Sequence, residues 1–310
     1  MDMLALGSTG PNVELLQLGL KRAEFSPGNI DGIFGPNTDK AVRDFQRYFK
    51  LKVDGIVGPR TWNTLFPFIN GYAIYIVSPG DTLTSIAINF KTTVNNILFA
   101  NPDKDLSTIY PGQIIVVPFD SIVATEISYT SEFLNINIRA LKVVYPFLET
   151  GAIGRSVLGE DIPYIKIGRG QKQVLYTGAI HANEWITAPV LMKFVEDYSS
   201  AIRSGGTIFG FDAKTLFDRV SIYIVPMVNP DGVNLVTGAF RTDSPAYIRA
   251  TRISNNFPDI PFPSGWKANI NGVDLNLQFP AGWEQAREIK FEQGFNKPAP
   301  RDYVGLRSFN

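Results

Sequence analysis

Apolar positions along this chain change their period twice, and each change marks a new kind of segment. From residue 11, "PNVELLQLGLKRA" places Val13, Leu16, Leu20 and Ala23 on one helical face. Ala41, Val42, Phe45, Tyr48 and Phe49 define a second apolar face, and Trp62, Leu65 and Phe66 a shorter third. The second and third helices are each opened by a repeated turn, "DGIFGPNT" at 31–38 and "DGIVGPRT" at 54–61. Glycines there suit positive φ, and Pro36 and Pro59 suit a first helical turn. After residue 72 the pattern becomes strand, helix, helix, strand: "YIVSPGDTLTSIAINF", "TVNNILFANP", "IYPGQIIVVP". A connector, 119–130, leads to a third pattern in which helices and strands alternate. "SEFLNINIRALKVVYPFL" predicts a helix and "TGAIGRSVLGEDIPYIKIG" a hairpin. "KQVLYTGAI" and "VSIYIVPMVNPDG" predict buried strands, separated by the amphipathic helix "WITAPVLMKFVEDYSSAI". Two such strands joined through a helix read as a doubly wound sheet, where ligand sites collect at the carboxyl ends of strands. His181 and Glu184 stand at one such end, and Asn229 to Gly232 at the other.

The predicted class is therefore multidomain. It comprises a small all-α domain at 1–69, a βααβ domain at 72–119 and an α/β doubly wound domain, incomplete, at 120–310. A length of 310 residues, 45% of them apolar, provides core enough for that many domains. Lysine plus arginine and aspartate plus glutamate balance at 29 each, which gives no footprint for nucleic acid. No cysteine is present, so disulfides and thiolate metal sites are excluded. The N-terminal residues show no basic segment followed by an apolar stretch, and no apolar run is long enough to span a bilayer.

Two resemblances concern the first 119 residues. "GSTGPNVELLQLGL", "DGIFGPNTDKAVRDFQ" and "DGIVGPRTWNTL" resemble the type 1 peptidoglycan-binding domain across residues 4–67. "VSPGDTLTSIA", "NP" and "YPGQIIVVP" resemble the LysM module. The latter implies binding to glycans containing N-acetylglucosamine, in a groove lined by Gly80, Asp81, Thr82 and the region from Asn101 to Asp103. Gly80 and Asp81 are equally suited to turn chemistry.

The third segment carries the chemistry. "HANEWIT" at 181–187 contains the only histidine in the chain. A His-x-x-Glu pair is weak evidence alone, because a catalytic zinc needs three protein ligands and a water. With "VPMVNPDGV" and "GWKANINGVDLNLQFP" in that order, it resembles the zinc carboxypeptidase family of the carboxypeptidase A type. The likeness is strongest to its wall-lytic γ-D-glutamyl-L-diamino acid endopeptidase I group. It implies that His181 and Glu184 are zinc ligands and that Lys267 replaces an arginine stabilising the tetrahedral oxyanion. It further implies that Asn276 binds substrate and that Leu277 replaces an arginine that would clamp a terminal carboxylate.

In that family a second histidine, a general-base glutamate and a substrate-binding tyrosine follow "GVDLN". Here no second histidine exists, and the likeness breaks at "LRSFN". The resemblance thus implies a C-terminally truncated chain, through a natural stop or a frameshift, with an incomplete Zn2+ site and no activity. Implied partners are the glycan strands and stem peptides of peptidoglycan, with neither nucleic acid nor a membrane span. The implied location is a bacterial cell wall or spore. Two other readings remain: a non-catalytic wall-binding protein, and a carboxypeptidase acting on protein C-termini.

Overall fold

The structure, a computed structural model, describes residues 1–307. Residues 308–310, the end of the stretch where the family likeness is expected to break, lie outside it. The chain divides into two compact units. The first comprises Met1–Ser128, Ile136–Glu149 and Phe194–Arg219; the second comprises Tyr129–Asn135, Thr150–Lys193 and the chain from Val220 onward.

In the first unit, α1 (Pro11–Arg22), α2 (Pro36–Tyr48) and α3 (Pro59–Asn70) each begin with proline, whose missing N–H costs nothing there. Val13, Leu16, Leu20, Val42, Phe45, Trp62 and Leu65 form the core, as their periodicity predicts. Gly19 lets α1 and α3 approach closely, since a Cβ there would lie 2.8 Å from Leu65 Cγ. Four predicted face residues lie at the core's margin, Phe49 and Phe66 being half-buried. Ala23 caps α1 half-buried, and Tyr48, in the last turn of α2, is 74% exposed. Its ring packs edge-on against Phe25 and Phe49 at the rim of the core.

The repeated turns owe their shape to two buried glutamines that apolar periodicity does not reveal. Gln17 Oε1 accepts from the Asp31 and Gly32 amides, both at 3.0 Å, while Nε2 donates to Asp31 Oδ1, Ile33 O and Thr38 Oγ1. Gln46 repeats this with the Asp54 and Gly55 amides, Asp54 Oδ1, Ile56 O and Thr61 Oγ1. Gly32 and Gly55 sit at φ 70° and 73°, where a Cβ would be strained. Gln46→Ala would leave two turn amides without acceptors and a void beneath them. The expected cost is about 2–4 kcal/mol. Hydrogen exchange should report it as lost protection at residues 54–61, with the amides of the following module unchanged.

That module consists of β1 (Tyr72–Ile76), α4 (Leu83–Asn89), α5 (Val94–Ala100) and β2 (Ile114–Pro118). The strands pair antiparallel with Ile74 opposite Val116. Thr82 and Thr93 cap the two helices through their side-chain oxygens. Val77, Ile86, Ile97, Leu106, Ile115 and Val117 close its core. The connector beyond it is fixed by buried Glu196, whose carboxylate accepts from Ser121 Oγ and from the Ile122 and Val123 amides.

The remaining elements, in chain order, begin with α6 (Ser131–Val144), β3 (Glu149–Arg155), β4 (Asp161–Ile167), β5 (Lys172–Thr177) and α7 (Thr187–Ser204). There follow β6 (Thr207–Ile208), β7 (Phe211–Asp212), α8 (Ala213–Arg219), β8 (Val220–Val225), α9 (Pro230–Val236), α10 (Pro245–Ser254) and α11 (Trp283–Glu292). The second unit holds a four-stranded sheet of order β3-β4-β8-β5. β5 runs parallel to β8, with Val174 opposite Ile222, and β4 runs antiparallel to it. The hairpin and both strands occupy their predicted places, but β5 is not the buried strand its apolar run suggests. It is an edge strand among the described residues, with Leu175 63% and Tyr176 48% exposed. No helix among these residues is long and apolar enough to cross a membrane.

Candidate functional site

The site grows from the carboxyl end of β5. Gly178 continues the pairing by donating to Val225 O and accepting from the Val228 amide. Only glycine fits there, because a Cβ would lie 2.7 Å from Pro226 O and 2.9 Å from Leu191 Cδ1. Three residues on, the chain enters a single 3-10 turn, Ala182–Glu184, with His181 as its cap residue. That turn brings both ends of the His-x-x-Glu pair to one point. His181 Nδ1 lies 3.1 Å from Glu184 Oε1.

Behind the imidazole stands a residue that the sequence reading did not single out. Asp274 Oδ1 is 3.3 Å from His181 Nε2, with its side chain 5% exposed. Asp274 also caps the second 3-10 turn, Leu275–Leu277, accepting from the Asn276 amide, and its other oxygen accepts from the Asp302 amide. A carboxylate held this way can only accept, and the tautomer that serves it carries the proton on Nε2. The Nδ1 lone pair and a Glu184 oxygen then face each other. Two acceptors at 3.1 Å are stable only around a shared proton or a cation. The recoverable signal was the aspartate of "GVDLN", two residues before the asparagine already singled out.

Lys267 joins the same cluster, with Nζ 3.7 Å from Glu184 Oε1 and its side chain 24% exposed. Its place is set by backbone bonds. The Ala182 amide donates to Lys267 O, and the buried Asn229 carboxamide donates to Ala268 O at 2.9 Å. The same Nδ2 faces Ile180 O and Lys267 O at 3.3 and 3.4 Å, while Asn229 Oδ1 accepts from the Gly232 amide to cap α9. The "NPDG" segment is therefore the clamp that holds the His181 strand end against the Lys267 loop. Asn276 is exposed beside the cluster and Leu277 is half-buried in the 3-10 turn.

The donor set fits zinc in part. One imidazole nitrogen and one carboxylate oxygen converge, with a carboxylate behind the imidazole as in protein metal sites. Among the described residues, no group of three histidine, cysteine, aspartate or glutamate side chains is placed to hold a metal ion. A three-ligand catalytic site is thus not assembled by these residues.

The glycan-binding candidates lie in the first unit. Gly80 is exposed at φ 88°. Asp81 Oδ2 accepts from Tyr75 OH at 2.8 Å and the Ser78 amide at 2.7 Å, and the first bond pushes the Tyr75 phenol above its ordinary pKa. Thr82 is engaged in a capping box with Ser85. Asn101 departs from the expectation of an open groove. It is buried, its Nδ2 donating to Ile97 O and Val116 O and its Oδ1 accepting from the Val116 amide. A side chain so committed shapes the loop and has no free group for a sugar.

Residues 9–65 match the peptidoglycan binding domain and residues 75–118 the LysM domain. The chain is similar to the γ-D-glutamyl-L-diamino acid endopeptidase 1 of Lysinibacillus sphaericus, 42% identical over 178 residues, covering 57% of this chain and 43% of that protein. It is also similar to the uncharacterized protein YqgT of Bacillus subtilis (strain 168), 37% identical over 210 residues, covering 66% of this chain and 54% of that protein. A third similarity is to the spore cortex-lytic enzyme of the same bacterium, 42% identical over 98 residues, covering 29% of this chain and 32% of that protein. The chain thus spans about half the length of the first two relatives. The model of the zinc carboxypeptidases matches residues 135–307, more than half of the sequence, and the chain belongs to that family.

Proposed function

We infer that the chain serves a wall-directed zinc peptidase chemistry, aimed at the bond between the γ-carboxyl of D-glutamate and a diamino acid. The observation that carries this reading is the convergence of His181, Glu184, Lys267 and Asp274 on a chain that also bears two wall-binding modules. His181 Nδ1 and Glu184 would hold zinc, and Asp274 would fix the imidazole that does so. Zinc, when bound, supplies a Lewis acid that polarises a carbonyl and acidifies water. Lys267 would place a positive charge where an oxyanion develops, as a point charge without the two-pronged geometry of arginine. Asn276 offers an exposed amide to substrate. Leu277 offers a carboxylate nothing to pair with, which favours an internal bond of a wall peptide over a protein C-terminus.

The absence of a three-ligand group among the described residues favours a second reading for these 310 residues, a wall-binding protein without turnover. The two readings share a location in the bacterial wall or spore and differ in metal content. Incubation with purified sacculi, followed by metal analysis and an assay of released peptide, separates them. The expected result is retention without release; release that disappears in His181→Ala would establish catalysis by this chain.

Wall binding itself should show avidity. Residues 1–118 should be retained on sacculi on the order of 10²-fold more tightly than 1–69 or 72–119 alone, since the second contact becomes intramolecular. Equal retention of all three pieces would remove avidity, and no retention would remove the wall assignment.

A further inference from the structure

The first unit contains a cavity of about 600 Å³ that shares no residue with the turn at Gly80–Thr82 but takes in Pro102 and Asp103, from the loop that the LysM resemblance also assigns to glycan. Its walls come from the end of α5, the segment after α6, and the helices α7 and α8. Phe99, Phe147 and Phe217 form a continuous ladder along it. Phe99 and Phe147 meet edge to face at 6.0 Å, and Phe147 and Phe217 at 5.4 Å and 90°. Ile202 adds an aliphatic wall, so most of the lining is apolar. Two charges complete it, Asp103 and Lys214, both exposed. The Lys214 ammonium lies 5.0 Å from the centroid of the Phe217 ring, which holds its charge at the cavity wall. Its ion pair with Asp218, at 3.3 Å, is an exposed i,i+4 contact of the kind that contributes little and yields readily to a ligand.

An apolar cavity bearing one carboxylate and one ammonium is complementary to an aliphatic stem carrying both an ammonium and a carboxylate. A neutral sugar ring would meet the two charges through hydroxyl contacts alone, without a pairing charge, and an apolar side chain would leave both unused. We propose that this cavity is a peptide-binding site for a diamino acid residue, with the ligand's ammonium at Asp103 and the aromatic ladder, and its carboxylate at Lys214. The proposal rests on the wall-peptide reading above and gives it a second contact, independent of the His181 cluster.

The test uses the full 310-residue chain and the tripeptide L-alanyl-γ-D-glutamyl-L-lysine, followed by calorimetry and by NMR of the phenylalanine rings. Acetylating the lysine ε-amine removes the partner of Asp103, and amidating the C-terminus removes the partner of Lys214. Each change should weaken binding about fivefold. Asp103→Ala should weaken it similarly and make it indifferent to acetylation, and Lys214→Ala should do the same for amidation. Both residues are exposed, so neither substitution threatens the fold. Unchanged tripeptide affinity in both variants overturns the proposal, as does displacement of the tripeptide by an N-acetylglucosamine tetramer. Retention on sacculi is measured in parallel. Retention with an indifferent Asp103 and Lys214 overturns the peptide site alone, whereas lost retention with the tripeptide still bound overturns the wall assignment alone.

Discussion

Titrated with zinc, the 310-residue chain should show one weak site, with Kd from about 1 μM to about 0.2 mM. Four-ligand structural sites contribute roughly 10–16 kcal/mol, or about 2.5–4 per ligand, so two protein donors supply roughly 5–8. The chain has a single histidine and no cysteine, so neither a second imidazole nor a thiolate can raise that figure. His181→Ala should abolish the site, because Glu184 would remain as an exposed carboxylate beside Lys267. Asp274→Asn is the more informative variant. It keeps an acceptor oxygen for the backbone but no longer imposes the Nε2–H tautomer through a charge, and should weaken zinc about 10–100-fold. Calorimetry with a competing chelator reads all three. A nanomolar site in the unmodified chain would mean that a third donor joins the pair in solution.

Much of this site was legible because chemistry and punctuation coincide. A lone histidine three residues before a glutamate, just past the end of a strand, marks the 3-10 turn that joins them. Asp274 escaped because its local role as a turn cap is real, and a sequence cannot show that the same carboxylate also reaches an imidazole 93 positions earlier. Gln17 and Gln46 escaped for a related reason: a polar residue inside a helical pattern reads as solvated, while here it replaces water for a turn. Asn101 failed in the opposite sense, since a loop asparagine suggests an open polar group and the structure spends it on backbone. β5 was misread as interior because its apolar run does not reveal how many strands lie beyond it. Element type was written locally in each case. What a side chain meets across the fold was not.

The clamp that assembles the cluster should be the most sensitive point of the second unit. Gly232→Ala would set a Cβ 2.6 Å from Asn229 Nδ2, 2.8 Å from Ala182 Cβ and 2.8 Å from Ala268 O. Two of those atoms belong to the segments that carry His181 and Lys267, so relief requires moving one ligand-bearing loop or the other. Asn229→Ala acts from the opposite side, removing the α9 cap and leaving buried Ala268 O without its 2.9 Å donor. Asn229→Ala should cost about 3–5 kcal/mol, the sum of a lost cap and one or two unpaired buried groups, and Gly232→Ala about 1–3 kcal/mol from overpacking. Asn229→Asp separates the two contributions. It preserves the acceptor for the Gly232 amide but turns an oxygen toward the carbonyls of Ile180, Lys267 and Ala268. If the carbonyl side dominates, Asp should be as damaging as Ala; if the cap dominates, Asp should be nearly neutral. Hydrogen exchange at residues 178–184 and 265–270 reads the outcome locally. We expect both segments to lose protection together in all three variants, because a single carboxamide ties the strand end before His181 to the loop of Lys267.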